Sequence, residues 1–195
     1  MPTPSGVKAA RAYSGVNLTT PIHGVAATIW TLQQPNVPPG TNVAAWVGVA
    51  SSAGWVQAGL VDSARGRNIY FEYRQGASGS PVCFARLALD PAQPHRFAVL
   101  ETAHAAGVWR VWIDGQPHGQ EVKLPASPDQ YFTATAEAVR VDPEASAPTY
   151  AYRFAGVRQA QVRGGVWRPL RSPQPVGAAL IAQTGDDFTV ASPSP

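Results

Sequence analysis

The sequence is poor in cysteine: Cys83 is the single one among 195 residues. No internal disulfide can form, so the fold has to rest on a buried core, and cysteine usage leaves the redox compartment open. Charge is also scarce, at 14% of residues, against roughly a quarter in a typical soluble domain. The net charge of +3 comes from few acids, and the arginines stand singly, as at Arg65, Arg67, Arg74, Arg86, Arg96 and Arg110. Nucleic-acid binding uses a clustered basic stripe, so no nucleic-acid partner is expected. No segment reaches the roughly 18 apolar residues of a membrane-spanning helix, and no membrane partner is expected either. The start, Met1 to Gly6, lacks the basic and apolar regions of a signal peptide. Localisation stays open, an extracellular or virion-associated place included.

Motifs that bind metals or cofactors are missing as well. His23, His95, His104 and His118 have no neighbours at ligand spacing, and the lone cysteine adds none, so no zinc site is expected. His23 and His118 stand beside glycine in turns, where a solvated ring is the default. No GxSxG, HExxH, P-loop or dinucleotide glycine pattern occurs, so no cofactor is expected. Cys83 lies in the apolar run Val82–Ala85 and reads as a small buried hydrophobe.

What is present is punctuation and short apolar runs. Gly 18 and Pro 19 together make nearly a fifth of the chain, and 45% of residues are hydrophobic. Strands are expected at 25–32, 43–50, 55–61, 69–74, 82–89, 95–101, 108–113, 122–124, 131–141, 150–162, 176–183 and 188–191. Ser51 to Gly54 and Asp114-Gly115 read as hairpin turns, and 35–40 as a turn. No helical stripe exceeds two turns. Strands spaced by turns about every ten residues predict an all-β, two-sheet antiparallel sandwich. Residues 1–22 are expected to form an irregular arm, 23–191 a single domain, and 192–195 a tail.

Three polar side chains sit inside strands. Gln57 lies in Trp55-Val56-Gln57-Ala58-Gly59, Glu72 between Phe71 and Tyr73, and Glu137 beyond Thr133 and Thr135. An ionised carboxylate in such company costs free energy unless it is paired or lines a wet groove. Period-two alternation puts Tyr70, Glu72 and Arg74 on one face, and Glu137 with Thr133 and Thr135 on another single face. Among the aromatics, Trp55, Tyr70, Trp109 and Trp112 are candidate platforms for a sugar ring or a protein anchor. Trp109 and Trp112 have opposite parity, so at least one leaves the core.

Taken in order, these segments resemble the glutamic peptidases called eqolisins. Ala45-Trp46-Val47-Gly48-Val49 is similar to that family's Trp-Val-Gly strand, and Val56-Gln57-Ala58-Gly59 to its Leu-Gln-Thr-Gly strand. Tyr70-Phe71-Glu72-Tyr73 resembles its Trp-Tyr-Glu-Trp-Tyr strand, Ala136-Glu137 its Ala-Glu-aromatic strand, Phe154 to Val157 its following strand, and Asp187 to Val190 its closing one. The resemblance runs over residues 23–191 and implies a concanavalin A-like jelly roll with a groove on its concave face. It further implies Glu137 as general base, Gln57 as oxyanion donor, and Trp46 and Glu72 as groove-lining residues.

The chain departs from the pattern at Ala50, Ala58, Ala138, Arg140 and Arg74, where the family carries acidic, hydroxyl or aromatic residues. These exchanges remove the acidic surroundings that tune a Glu for work at low pH. The first expectation is therefore a non-catalytic, lectin-like binding or assembly module, taking a carbohydrate or a protein surface through Trp46, Trp55, Tyr70 and Glu72. A virion surface or tail component is one form of it. The second expectation is an eqolisin-like endopeptidase using Gln57 and Glu137.

Overall fold

The computed structural model describes residues 9–18, 22–85, 89–171, 173–177 and 180–192. Among them there is no helix. The strands are β1 (Ala10–Leu18), β2 (Gly24–Asn36), β3 (Thr41–Ser51), β4 (Gly54–Ser63), β5 (Gly66–Gln75), β6 (Val82–Ala85), β7 (His95–Glu101), β8 (Val108–Ile113), β9 (Gln116–Lys123), β10 (Tyr131–Arg140), β11 (Thr149–Ala160), β12 (Trp167–Pro169), β13 (Gln174–Val176), β14 (Leu180–Thr184) and β15 (Asp187–Ala191).

They form two antiparallel sheets. The seven-stranded sheet runs β13-β1-β10-β3-β4-β5-β6, and the eight-stranded sheet runs β14-β15-β11-β2-β7-β8-β9, with β12 paired to β11. The alternation of each strand explains the sandwich. Val43, Ala45, Val47 and Val49 of β3, Val56, Ala58 and Leu60 of β4, and Ile69, Phe71 and Tyr73 of β5 point inward. They meet Val25, Ala27 and Ile29 of β2, Phe97 and Val99 of β7, and Tyr152 and Phe154 of β11. Burying these apolar faces against each other is the main stabilising term.

The expected hairpins form. β3 and β4 close through Ser51 opposite Gly54. β8 and β9 close through Asp114 at φ 51° and Gly115 at φ 78°, the two left-handed positions of a tight type I′ turn. Trp109 is buried in the core, and Trp112, of opposite parity, faces outward.

Four expectations need correction. Ala10–Leu18 is no irregular arm: it is β1, paired along its whole length with β10. Its Ser14-Val16-Leu18 alternation points inward, but Ser, Gly and Asn dilute the signal, and the β10 ladder supplies the order. The turn expected from residue 35 begins later, because β2 runs to Asn36. Beyond Ile29 that strand has no β7 partner, so Pro35 takes a position where a missing N–H is tolerated. Cys83 is exposed, because β6 is an edge strand and Cys83 stands opposite Glu72 on the face turned away from the core. The His23 ring is not simply solvated either, since its Nδ1 lies 2.5 Å from Glu101 Oε2. Residues 86–88 and 178–179, on which parts of two expected strands fall, lie outside the described residues.

Candidate functional site

Inward positions fill the core, so chemistry has to sit on the outer faces. On the outer face of the seven-stranded sheet, register arranges side chains in four rows. The first reads Tyr131, Ala50, Trp55, Arg74 from β10 through β3 and β4 to β5, and the second reads Thr133, Gly48, Gln57, Glu72. The third reads Thr135, Trp46, Gly59, Tyr70, and the fourth Glu137, Ala44, Val61, Asn68. Gln57, Glu72 and Glu137 therefore share one face, as period-two alternation requires.

The rows are unequal in size. Ala50 and Gly48 leave the β3 line low between Tyr131 and Thr133 on one side and Trp55 and Gln57 on the other. Trp46 stands at the next outward β3 position and closes that line. The two small positions, Gly48 and Ala50, one outward step or about 7 Å apart with about 10 Å between the flanking backbones, outline a short trough whose Gly48 end is buried. Glycine at 48 is sterically demanded as well: a Cβ there would lie 2.8 Å from Val56 O.

Gln57 and Glu72 are direct neighbours across β4 and β5. The Gln57 amide donates to the Tyr70 hydroxyl at 3.3 Å and also hydrogen-bonds the Glu72 carboxylate. Burial first, and then the charge of Glu137, push the Glu72 carboxyl above its ordinary value. Burial raises the Tyr70 phenol still further, with the Glu72 and Glu137 charges adding to it.

Glu137 is on the same face, near enough for its charge to act on the Glu72 and Tyr70 side chains. Its backbone lies two strands and four residues away from that of Gln57, roughly 16 Å between Cα positions at ordinary strand spacing. Its carboxylate pairs with the Arg11 guanidinium and hydrogen-bonds Tyr13, both from β1. The Tyr13 ring meets Trp46 edge-on at 6.2 Å. The register thus places Glu72, not Glu137, beside the Gln57 amide.

Of the aromatic candidates, Trp46 and Tyr70 are only 5% and 4% exposed, in a small cluster with Ala44 that is separate from the core. Trp55 is half-buried and carries the Arg74 guanidinium over its ring at 4.0 Å. Sequence reasoning missed Arg11, Tyr13 and Tyr131. The first two fall in the segment expected to be an irregular arm. Tyr131 shares parity with Thr133, Thr135 and Glu137, and that parity is the signal that could have found it.

The fold is found among solved structures. Two structures of Scytalido-glutamic peptidase, one with a peptide-based transition-state analogue and one with a transition-state analogue inhibitor, superpose with TM-scores of 0.57 and 0.58. SCP-B, a member of the eqolisin family solved with the tripeptide Ala-Ile-His, gives 0.54. In each case the identity is 14%, and the match covers 95% of this chain and 99% of the other. No family model and no curated protein sequence matches the chain. At this identity the likeness establishes the architecture: the chain is a concanavalin A-like jelly roll.

Proposed function

We propose that this chain is a non-catalytic binding module that holds a carbohydrate ring in the trough over Gly48 and Ala50. One observation carries the reading. Two aromatic residues, the half-buried Trp55, one face of which already carries Arg74, and the 38% exposed Tyr131, flank a floor without side-chain bulk. The next row offers an amide and a carboxyl, from Gln57 and Glu72, whereas the buried Thr133 hydroxyl beside them already donates to Val16 O. An aromatic face takes the C–H side of a sugar, and side chains that both donate and accept match its hydroxyls. Trp46 and Tyr70 build the end of the trough rather than stacking on the ligand, because their rings are already covered. Glu137 supports this structure through Arg11 and Tyr13.

The test is a glycan array followed by titration calorimetry on the best ligand. Trp55→Ala and Gln57→Ala are each expected to weaken binding about tenfold or more, the scale of one stacking interaction or one hydrogen bond. Trp30→Ala, on the other sheet, is expected to leave binding unchanged. Binding indifferent to Trp55 and Gln57, or no glycan bound at all, rejects the reading.

A second reading, peptide hydrolysis, has one observation in its favour. Glu72 is a carboxyl of raised pKa hydrogen-bonded by an amide, a pairing suited to acid–base work. With Glu137 as base, the same reaction needs that side chain freed from Arg11. Incubation with a denatured protein from about pH 2 to about pH 7, the range in which a carboxyl titrates, separates the two. Cleavage abolished by Glu72→Gln or Glu137→Gln would replace the binding proposal.

A further inference from the structure

The opposite face of the sandwich carries two adjoining depressions that share Leu100, Trp112 and Gly164, with volumes of about 260 and 280 Å³. Their origin is again a matter of residue size. On the outer face of the eight-stranded sheet, Trp112 stands opposite Ala98, Ala98 opposite Ala26, and Leu100 opposite Gly24. Small residues at the sheet centre leave the surface low between Trp112 on one side and Trp167 of β12 on the other. Gly24 is demanded by the neighbouring backbone, since a Cβ there would come within 2.8 Å of Val99 O.

Arg96 forms one edge of the larger depression. The nearest carboxylate on its own hairpin, Asp114, is already engaged. One oxygen accepts the Arg96 backbone N–H at 2.8 Å, and the other lies 2.6 Å from His95 Nδ1. The Arg96 guanidinium has no ion pair among the described residues. Burial and the neighbouring Arg158 both lower its pKa, which is the response of a cation lacking a counter-charge. Arg158 is itself held by Asp186 at 3.0 Å, and in the adjoining depression Arg110 and His104 share Glu121 at 3.8 and 3.3 Å. Among the described residues lining the two depressions, Arg96 is therefore the cation without an ion pair.

We propose that this cleft is a second binding site, and that it takes a sugar carrying a carboxylate, a hexuronate residue of an acidic polysaccharide. Trp112 and Trp167 offer flat apolar faces to the ring. Arg96 offers the planar fork of donors that fits a carboxylate. The site is separate from the trough over Gly48 and Ala50, which lies across the core on the other sheet.

The experiment titrates the full chain with galacturonate and mannuronate tetramers and with a neutral glucose tetramer, read by calorimetry. A saturable signal for at least one acidic tetramer, weaker or absent for the neutral one, is expected. Arg96→Gln and Trp112→Ala should each reduce it about tenfold or more, and Trp55→Ala should retain it. Circular dichroism confirms that each variant is folded. A variant that fails to fold is replaced by the milder Arg96→Lys, which keeps the charge but loses the fork, and by Trp112→Phe. The inference is overturned if neither acidic tetramer binds, if the neutral one binds equally, or if binding survives the Arg96 and Trp112 changes. It is likewise overturned if binding disappears with Trp55→Ala alone, an outcome that assigns the ligand to the trough.

Discussion

Tyr152 of β11 donates its phenolic hydrogen to Asp62 Oδ2 of β4 at 2.7 Å, inside the sandwich and from one sheet to the other. The other Asp62 oxygen accepts Arg67 Nε at 2.8 Å, and Arg67 Nη1 reaches back to Thr31 Oγ1 of β2 at 2.8 Å. Four strands are thus joined by a buried polar chain. Burial and the Asp62 carboxylate together hold the Tyr152 phenol well above its ordinary value.

Asp62→Ala leaves Arg67 buried without its counter-ion, and breaking such a pair costs about 3–5 kcal/mol. Tyr152→Phe removes one hydrogen bond to a charged group and should cost about 1–3 kcal/mol. Urea unfolding checks both. Equal, small losses for the two variants would show that Arg67 finds other partners.

Glu72 makes stability depend on pH in a definite direction. Its folded-state pKa lies above the ordinary value of 4.5, so folding favours the protonated form. That contribution is complete below the ordinary value and is lost as pH rises through the folded one. Glu72→Gln removes it. Subtracting parent from variant melting temperatures should therefore give a curve that is flat at low pH and rises between about pH 4 and about pH 7. A difference independent of pH would contradict the assignment.

The same carboxylate acts on Cys83, directly opposite it on β6. Although the residue is exposed, partial covering of its thiol and then the Glu72 charge raise it above its ordinary value of 9.0. Alkylation by iodoacetamide at mildly alkaline pH should be slower than for an exposed cysteine in a peptide, because the thiolate is the reacting form. Glu72→Gln should accelerate it. An unchanged rate in that variant would mean the two groups do not sense each other.

Gly59 is a position of close backbone approach. A Cβ there would lie 1.9 Å from Ala45 O and 2.7 Å from Trp46 Cα, both main-chain atoms of β3. Gly59→Ala has to push β3 and β4 apart beneath Trp46 and should cost about 1–3 kcal/mol, the usual range for overpacking. Gly66→Ala, with open space around the added atom but φ +102°, isolates the conformational cost. A Gly59 variant as stable as the parent would show that the strands can separate freely.

The all-β architecture, the hairpins at Ser51–Gly54 and Asp114-Gly115, and the parity of Gln57, Glu72 and Glu137 were legible in the sequence. Each depends on alternation or turn chemistry within a few residues, and the β-pleat converts such local patterns directly into faces. Parity also predicted that Trp109 and Trp112 separate. It could not say which of the two enters the core.

Neighbours across strands were decided elsewhere. Which residue stands beside Gln57 depends on the register of β3, β4, β5 and β10, set by hairpin lengths and by apolar faces packing on a second sheet. Tertiary structure therefore paired Gln57 with Glu72 and gave Glu137 to Arg11 and Tyr13. It also exposed Cys83 on an edge and brought Trp167 across from Trp112 over a floor of small residues. A single sequence encodes which way a side chain points, whereas what it meets there depends on chain segments brought together only by the folded sandwich.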